Sequence, residues 1–82
     1  MRTEMDDAKP HAVRLISARK VVFTFDLRDN ESLRSKALVE RSMAGLMLTY
    51  KDVKRYEAEY FGNWLVISVY GTVSRDIVTM YL

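Results

Sequence analysis

The side chains that most often carry out catalysis are sparse in this 82-residue chain. His11 is the only histidine, and there is no cysteine. Without cysteine the chain cannot form a disulfide, a thiolate nucleophile or a cysteine-ligated metal site. His11 follows Pro10 at the border of a segment without periodicity, so a Ser-His-Asp arrangement would require that mobile residue to be held in place. We therefore expect an exposed imidazole with no catalytic or metal-binding role.

Three carboxylates are the candidates for a catalytic acid and base pair. Glu57 and Glu59 are two residues apart, so on a strand they share one face, and Asp26 precedes a helical pattern. Arg55 lies on the same predicted face, which indicates solvated carboxylates with cross-strand partners. The glycines are isolated from one another, so no phosphate-binding glycine loop is present. The sequence predicts no enzyme activity and no cofactor.

The composition is that of an ordinary globular protein, with 49% hydrophobic and 29% charged residues. We expect a flexible tail over residues 1–10 and a single compact domain over residues 11–82. A chain of this size hides only about 60–65% of its unfolded surface, so a partner subunit would add stability. No run approaches the roughly 20 apolar residues of a membrane span, and the start lacks a secretory signal. We expect a cytoplasmic protein without a membrane partner.

The first predicted structural element lies between residues 12 and 27, where apolar residues recur at every second position. Its apolar residues take odd positions: Val13, Leu15, Val21, Phe23, Phe25 and Leu27. This alternation is typical of strands. The interruption at residues 17–20 fits a bulge in one long strand or a tight turn between two short strands, and the turn is preferred.

The stretch from Arg28 to Tyr50 predicts the main helix. Asp29 or Asn30 is the expected N-cap, with Glu31 in the first turn. At 100° per residue one arc collects most apolar side chains, with two more at its edge: Leu33, Ala37, Met43, Ala44, Met47 and Leu48, then Val39 and Leu46. Gly45 either allows close approach of a neighbour or ends the helix, leaving residues 46–50 as an additional short strand.

Residues 53–61 fit two structures. As a helix they present an apolar stripe preceded by a capping-box pattern at residues 49–52. As a strand they fold back at Gly62-Asn63, a favoured dipeptide for a two-residue turn. The turn aligns four cross-strand pairs: Phe61 with Trp64, Tyr60 with Leu65, Ala58 with Ile67, and Tyr56 with Val69. The inner face is then uniformly apolar, and the hairpin is preferred.

A second turn centred on Ser74-Arg75 would align residues 76–82 with the preceding strand. It would set Val69 opposite Met80 and Ile67 opposite Leu82, on the same inner face. The sequence therefore predicts an α+β fold, a two-layer sandwich of order β-β-α-β-β-β. One or two N-terminal strands precede a main helix and a three-stranded antiparallel meander.

The outer face of that meander carries more large apolar groups than water ordinarily contacts. Four aromatic residues are the expected partner-binding residues: Phe61, Trp64, Tyr70 and Tyr81. Either another part of the chain covers them or a partner does. We expect a small accessory or adaptor protein that acts through protein-protein contact, as a homodimer or docked on a larger protein.

The alternative function is a small nucleic-acid-binding module that combines aromatic and basic residues on the sheet. The candidate polyanion-binding residues form two clusters: Arg19 with Lys20, and Lys51 with Lys54 and Arg55. The net charge of +2 alone does not indicate such a partner. Acidic residues near the same surface would repel a polyanion, so protein contact is preferred.

Overall fold

The chain folds into one antiparallel sheet with a helix on one side. The computed structural model describes residues 9–50 and 52–71. It contains β1 (Ala12–Ser17), β2 (Lys20–Asp26), a 3-10 turn (Glu31–Arg34), α1 (Lys36–Thr49), β3 (Val53–Phe61) and β4 (Trp64–Gly71). The strands lie in the order β1-β2-β4-β3. This β-β-α-β-β arrangement confirms the predicted α+β fold.

The N-terminal region forms two strands joined by a tight turn, as preferred from the sequence. Ser17 pairs with Lys20, and the backbone N–H of Arg19 donates to Ser17 Oγ at 3.1 Å. The odd-numbered apolar residues of β2 face α1 and are at most 4% exposed. The period-two pattern therefore identified the buried face, because successive strand side chains point to opposite sides of a sheet.

The first C-terminal hairpin has the predicted register. All four expected cross-strand pairs are present, from Phe61 with Trp64 to Tyr56 with Val69. Gly62 has φ +55°, and no residue other than glycine has a positive φ in the described part of the chain. A positive φ at the first turn position alone is the pattern of a type II′ turn, where glycine is favoured. The helical reading of residues 53–61 is wrong.

Strand order is where the structure departs from the predicted meander. β2 pairs with β4 over Lys20–Asp26, so Ile67 lies between Phe23 and Ala58. A strand has two hydrogen-bonding edges, and both edges of β4 are occupied between Trp64 and Tyr70. The predicted meander required one edge of β4 to pair with residues 76–82. The second predicted hairpin falls on residues 72–82, which lie outside the described residues.

The main helix begins later than predicted. Glu31–Arg34 forms the 3-10 turn, and α1 starts after Ser35, whose Oγ accepts a hydrogen bond from the Leu38 backbone N–H at 3.3 Å. The predicted cap at Asp29 or Asn30 is therefore wrong. α1 continues through Gly45 to Thr49, so residues 46–50 do not form an additional strand.

The buried face of α1 is rotated from the predicted arc. Val39, Ser42 and Met43 are buried, although Ser42 is not part of the predicted arc. Ala37, Ala44 and Leu48 were expected inside and are exposed, Leu48 by 81%. Leu33, which the predicted arc includes, is fully buried but belongs to the separate 3-10 turn, and Ser35, with an extended backbone, separates that turn from α1.

Candidate functional site

The candidate site is the sheet face opposite α1, called the outer face from here on. Residues aligned across neighbouring strands share a face, so the registers define it. Its rows, given from β2 through β4 to β3, are Asp26–Trp64–Phe61, Thr24–Val66–Glu59, Val22–Ser68–Glu57 and Lys20–Tyr70–Arg55. The core on the other side collects the buried side chains. Apart from His11 at its border, no described element packs on the outer face.

One end of the outer face is aromatic. Phe61 and Trp64 lie opposite each other on β3 and β4, and Phe61 is 57% exposed. The His11 ring meets Trp64 edge-on, with the centroids 5.0 Å apart and the planes at 68°. The backbone N–H of His11 donates to the Thr24 carbonyl at 2.6 Å, which fixes that residue beside β2. Because Val66 continues the apolar surface along β4, this end offers a contiguous apolar patch.

The other end of the outer face is cationic. Tyr70 lies between two cations, because it pairs with Lys20 of β2 on one side and with Arg55 of β3 on the other. Lys20 Nζ is 5.1 Å and Arg55 Cζ is 4.0 Å from the centroid of the Tyr70 ring. Arg55 also donates to Glu57 Oε1 at 2.6 Å. Tyr70 is therefore the centre of a cation-π cluster, in which each positive charge is attracted to the negative face of the ring.

The remaining predicted cations that the structure describes lie close to this cluster. The Arg19 carbonyl accepts a hydrogen bond from the Gly71 N–H at 3.0 Å, which ties the β1–β2 turn to the end of β4. Lys54 is exposed and sits at an irregularity in the pairing of β3 with β4. The structure thus brings together Arg19, Lys20, Lys54 and Arg55. Lys51 lies outside the described residues.

Glycine at position 71 allows the start of β3 to approach the end of β4 closely at the cationic end of the sheet. Its φ is +133°, and a Cβ atom there would overlap the Asp52 carbonyl oxygen and lie 2.8 Å from the Lys54 nitrogen. Only glycine adopts such a backbone conformation readily and leaves room for so close an approach. The first residues of β3 can therefore lie directly against the end of β4, with Arg55 beside Tyr70.

The predicted contact residues are divided between the two ends. Trp64 and Tyr70 are six positions apart on β4, which corresponds to about 20 Å at 3.4 Å per residue. Phe61 and Trp64 are brought together, whereas Tyr70 belongs to the cationic end. Tyr81 lies outside the described residues. This division could not be predicted from the sequence, because the pairing of Lys20 with Tyr70 joins positions fifty residues apart.

Two carboxylates of the outer face, Asp26 and Glu57, have hydrogen-bonded partners. Asp26 accepts hydrogen bonds from the Arg28 side chain at 2.8 and 3.0 Å and from its backbone N–H at 3.0 Å. These side-chain hydrogen bonds, followed by the backbone one, lower the pKa of Asp26 to about 2. A carboxylate held ionised in this way is a poor proton acceptor at neutral pH. Glu57 is paired with Arg55 of the same strand, whereas the sequence predicted a cross-strand partner.

A shallow open cleft lies beside the aromatic end. Its volume is about 400 Å³, and its lining residues are Lys9, Pro10, His11, Asp26, Asp29 and Asn30. Lys9, assigned to the tail by the sequence, exchanges two hydrogen bonds with the Asn30 side chain, at 3.2 and 3.3 Å. Residues 9–50 and 52–71 contain no group of three or more histidine, cysteine, aspartate or glutamate residues that could hold a metal ion.

Comparison of the chain with protein-family models, curated proteins and solved structures finds no match. In the portion that the structure describes, no helix combines the length and apolar character needed to cross a membrane.

Proposed function

We propose that this protein acts by binding another protein chain through the outer face of its sheet. The observation that carries this proposal is the pair of exposed Phe61 and half-buried Trp64, which adjoins Val66 on a face that α1 leaves open. Aromatic residues are enriched at the centres of protein interfaces, where they contribute a large share of the binding free energy.

The chemistry of the two ends of the outer face indicates which groups a partner surface would carry. The aromatic end fits an apolar pocket, and the cationic end around Tyr70 fits carboxylates. The two partner features would lie about 20 Å apart, the length of the segment of β4 between Trp64 and Tyr70. We expect the apolar contact to control the lifetime of the complex, and the cations to control its association rate.

The Tyr70 cluster favours a protein over stacked bases as the ligand of this face. Lys20 and Arg55 approach the Tyr70 ring from the strands on both sides of β4. A base that stacks on Tyr70 would have to displace at least one of these cations, which would cost its interaction with the ring. A carboxylate can instead bind the same cations while they stay on the ring.

The test of this proposal is capture of a partner from extracts of the source cells by immobilised variants of the chain. Phe61→Lys places a charge in the aromatic end, and Leu48→Lys is the matched control on an exposed position of α1, away from the sheet. We expect wild type and Leu48→Lys to retain the same protein and Phe61→Lys to lose it. Equal retention by all three chains would contradict the role of the outer face.

The cationic end is tested separately by charge reversal. We expect Lys20→Glu to slow association with the captured partner about tenfold at low salt and to reduce its salt dependence. Arg41→Glu, at an exposed position of α1 away from the outer face, is the control for a change of net charge alone. If both reversals slow association equally, the cations act through net charge and not through the Tyr70 cluster.

A second candidate function, polyanion binding, is favoured by the clustering of Arg19, Lys20, Lys54 and Arg55 around one end of the sheet. Phosphate contacts release counterions, so binding would weaken steeply as salt increases. We expect a polyanion-binding chain to be retained on single-stranded DNA or RNA at low salt, and to lose that retention on Lys54→Glu with Arg55→Glu. Absence of retention at low salt would rule out this function.

A further inference from the structure

The single histidine of the chain lies against its single tryptophan, at the border of the aromatic end. The ring of His11 meets Trp64 edge-on, with the centroids 5.0 Å apart. His11 is exposed, whereas Trp64 is half-buried. Water can therefore reach the imidazole and exchange a proton with it while the ring contacts the indole.

Three hydrogen bonds hold the segment that carries His11. Its backbone N–H donates to the Thr24 carbonyl at 2.6 Å. Two residues earlier, the backbone N–H of Lys9 donates to Asn30 Oδ1 at 3.3 Å, and the Lys9 carbonyl accepts from Asn30 Nδ2 at 3.2 Å. The segment is thus tied to β2 and to the loop that follows it, so a charge on the imidazole would arise at a defined place beside the aromatic end.

The charged residues that share the open cleft with His11 are Lys9, Asp26 of β2 and Asp29 of the following loop. Asp26 is paired with Arg28 at 2.8 Å. The hydrogen bonds from Arg28, and more weakly the charge of His11, lower the pKa of Asp26 to about 2, so that carboxylate stays ionised at neutral pH. Histidine is the residue type whose charge ordinarily changes between about pH 5 and 8, whereas aspartate, lysine and arginine keep theirs.

We propose that His11 makes the aromatic end sensitive to pH, and that protonation of this residue weakens the binding of a partner protein there. A partner that covers Trp64 also removes water from the adjoining imidazole. Desolvation disfavours the charged form of a group, and the Asp26 carboxylate, already paired with Arg28, compensates little for it. The neutral ring can be buried at much lower cost as part of an aromatic pair. The partner therefore selects the neutral form of His11.

The effect on the partner rests on the proposed function, because it acts on the surface assigned to that partner. The change at the contact of His11 with Trp64 does not, since it takes place in the free chain. When only the neutral form can bind, the apparent affinity is reduced in proportion to the neutral fraction. For a histidine that titrates at about pH 6.5, this amounts to about a tenfold loss of affinity between about pH 8 and about pH 5.5.

The first experiment follows the emission of Trp64 in the free full-length chain between about pH 8 and about pH 5. An imidazolium quenches an adjacent indole more strongly than a neutral imidazole does, so we expect the emission to fall in one titration step as the pH decreases. His11→Phe keeps an aromatic ring that cannot gain a proton, and it should show no such step. A flat profile for wild type, or a step of equal size in His11→Phe, would overturn the proposal.

The second experiment measures the dissociation constant of the captured partner at the same two extremes of pH. We expect wild type to lose about tenfold in affinity at the lower pH and His11→Phe to bind equally at both. His11→Lys, which keeps its charge throughout, should bind weakly at both. If wild type and His11→Phe show the same pH dependence while Phe61→Lys still loses the partner, this inference fails and the proposed function stands. Retention of the partner by Phe61→Lys would refute the proposed function itself, and with it the effect on the partner.

Discussion

Replacement of Gly71 by alanine is the most informative change to the end of the sheet that carries the cationic cluster. Gly71 has φ +133°, and its added Cβ would overlap the Asp52 carbonyl oxygen and lie 2.9 Å from Val53 Cα. These atoms belong to the backbone, so they cannot move aside as the end of a flexible side chain does. Either β3 separates from β4 at its start, or the backbone at Gly71 changes conformation.

The expected magnitude follows from comparison with Gly62. Gly62 also has a positive φ, +55°, but an added Cβ there would meet no atom within 4 Å. Gly62→Ala therefore isolates the backbone cost, about 1–2 kcal/mol. Gly71→Ala adds steric overlap, for which about 1–3 kcal/mol is typical, giving about 2–5 kcal/mol in total. A domain of this length has a free energy of unfolding of about 4–12 kcal/mol, so the second variant should lose a large part of it.

Urea unfolding, followed by circular dichroism, measures both variants on the same scale. We expect the Gly71→Ala midpoint to lie well below that of Gly62→Ala, with the melting temperature lower by about 4–8 °C for each kcal/mol of difference. In the folded fraction, Arg55 should lose its position on Tyr70. If the two variants differ by less than about 0.5 kcal/mol, the range expected for unrelated surface changes, the close approach of β3 to Gly71 is incorrect.

Three further changes test single interactions. Tyr60→Phe removes the hydrogen bond that the Tyr60 hydroxyl donates to a carbonyl of the 3-10 turn at 2.8 Å. It should lower the free energy of unfolding in urea by about 1 kcal/mol. Tyr56→Phe is the control on the same face. Ser35→Ala removes the cap of α1 and should also cost about 1 kcal/mol, measured in the same way. Asp26 has its pKa lowered from 3.8 to about 2 by Arg28, so it stabilises the fold above about pH 4 and loses that effect as the pH falls toward 2. Asp26→Asn should therefore reduce the change in urea midpoint between those pH values, and an unchanged pH profile would contradict the pairing with Arg28.

The local patterns of the sequence predicted both hairpins that the structure describes. Alternation in β2 and the dipeptide Gly62-Asn63 each depend on residues near one another in the chain, and both were confirmed, the second with the correct register. The start of α1 was misplaced because Asn30 and Ser35 are both acceptable caps. The choice between them depends on the tertiary packing of Leu33, which closes the 3-10 turn against the core.

The order of the strands and the layout of the site could not be predicted locally. The pairing of β2 with β4 brings Lys20 to Tyr70, and it arises from the packing of two apolar strands separated by α1 and β3. No turn connects these strands, so no sequence pattern specifies their register. The division of the outer face into aromatic and cationic ends follows from that pairing, which is why the predicted contact residues were placed in a single group.

Fluorescence of Trp64 tests the role of the outer face most directly, because Trp64 is the only tryptophan of the chain and lies on that face. The measurement is quenching of its emission by acrylamide, with and without the partner that the wild-type chain captures. We predict that binding shifts the emission to shorter wavelength and protects it from the quencher, and that neither change occurs with Phe61→Lys. A complex that forms fully while Trp64 stays as accessible as in the free chain would contradict binding through the outer face.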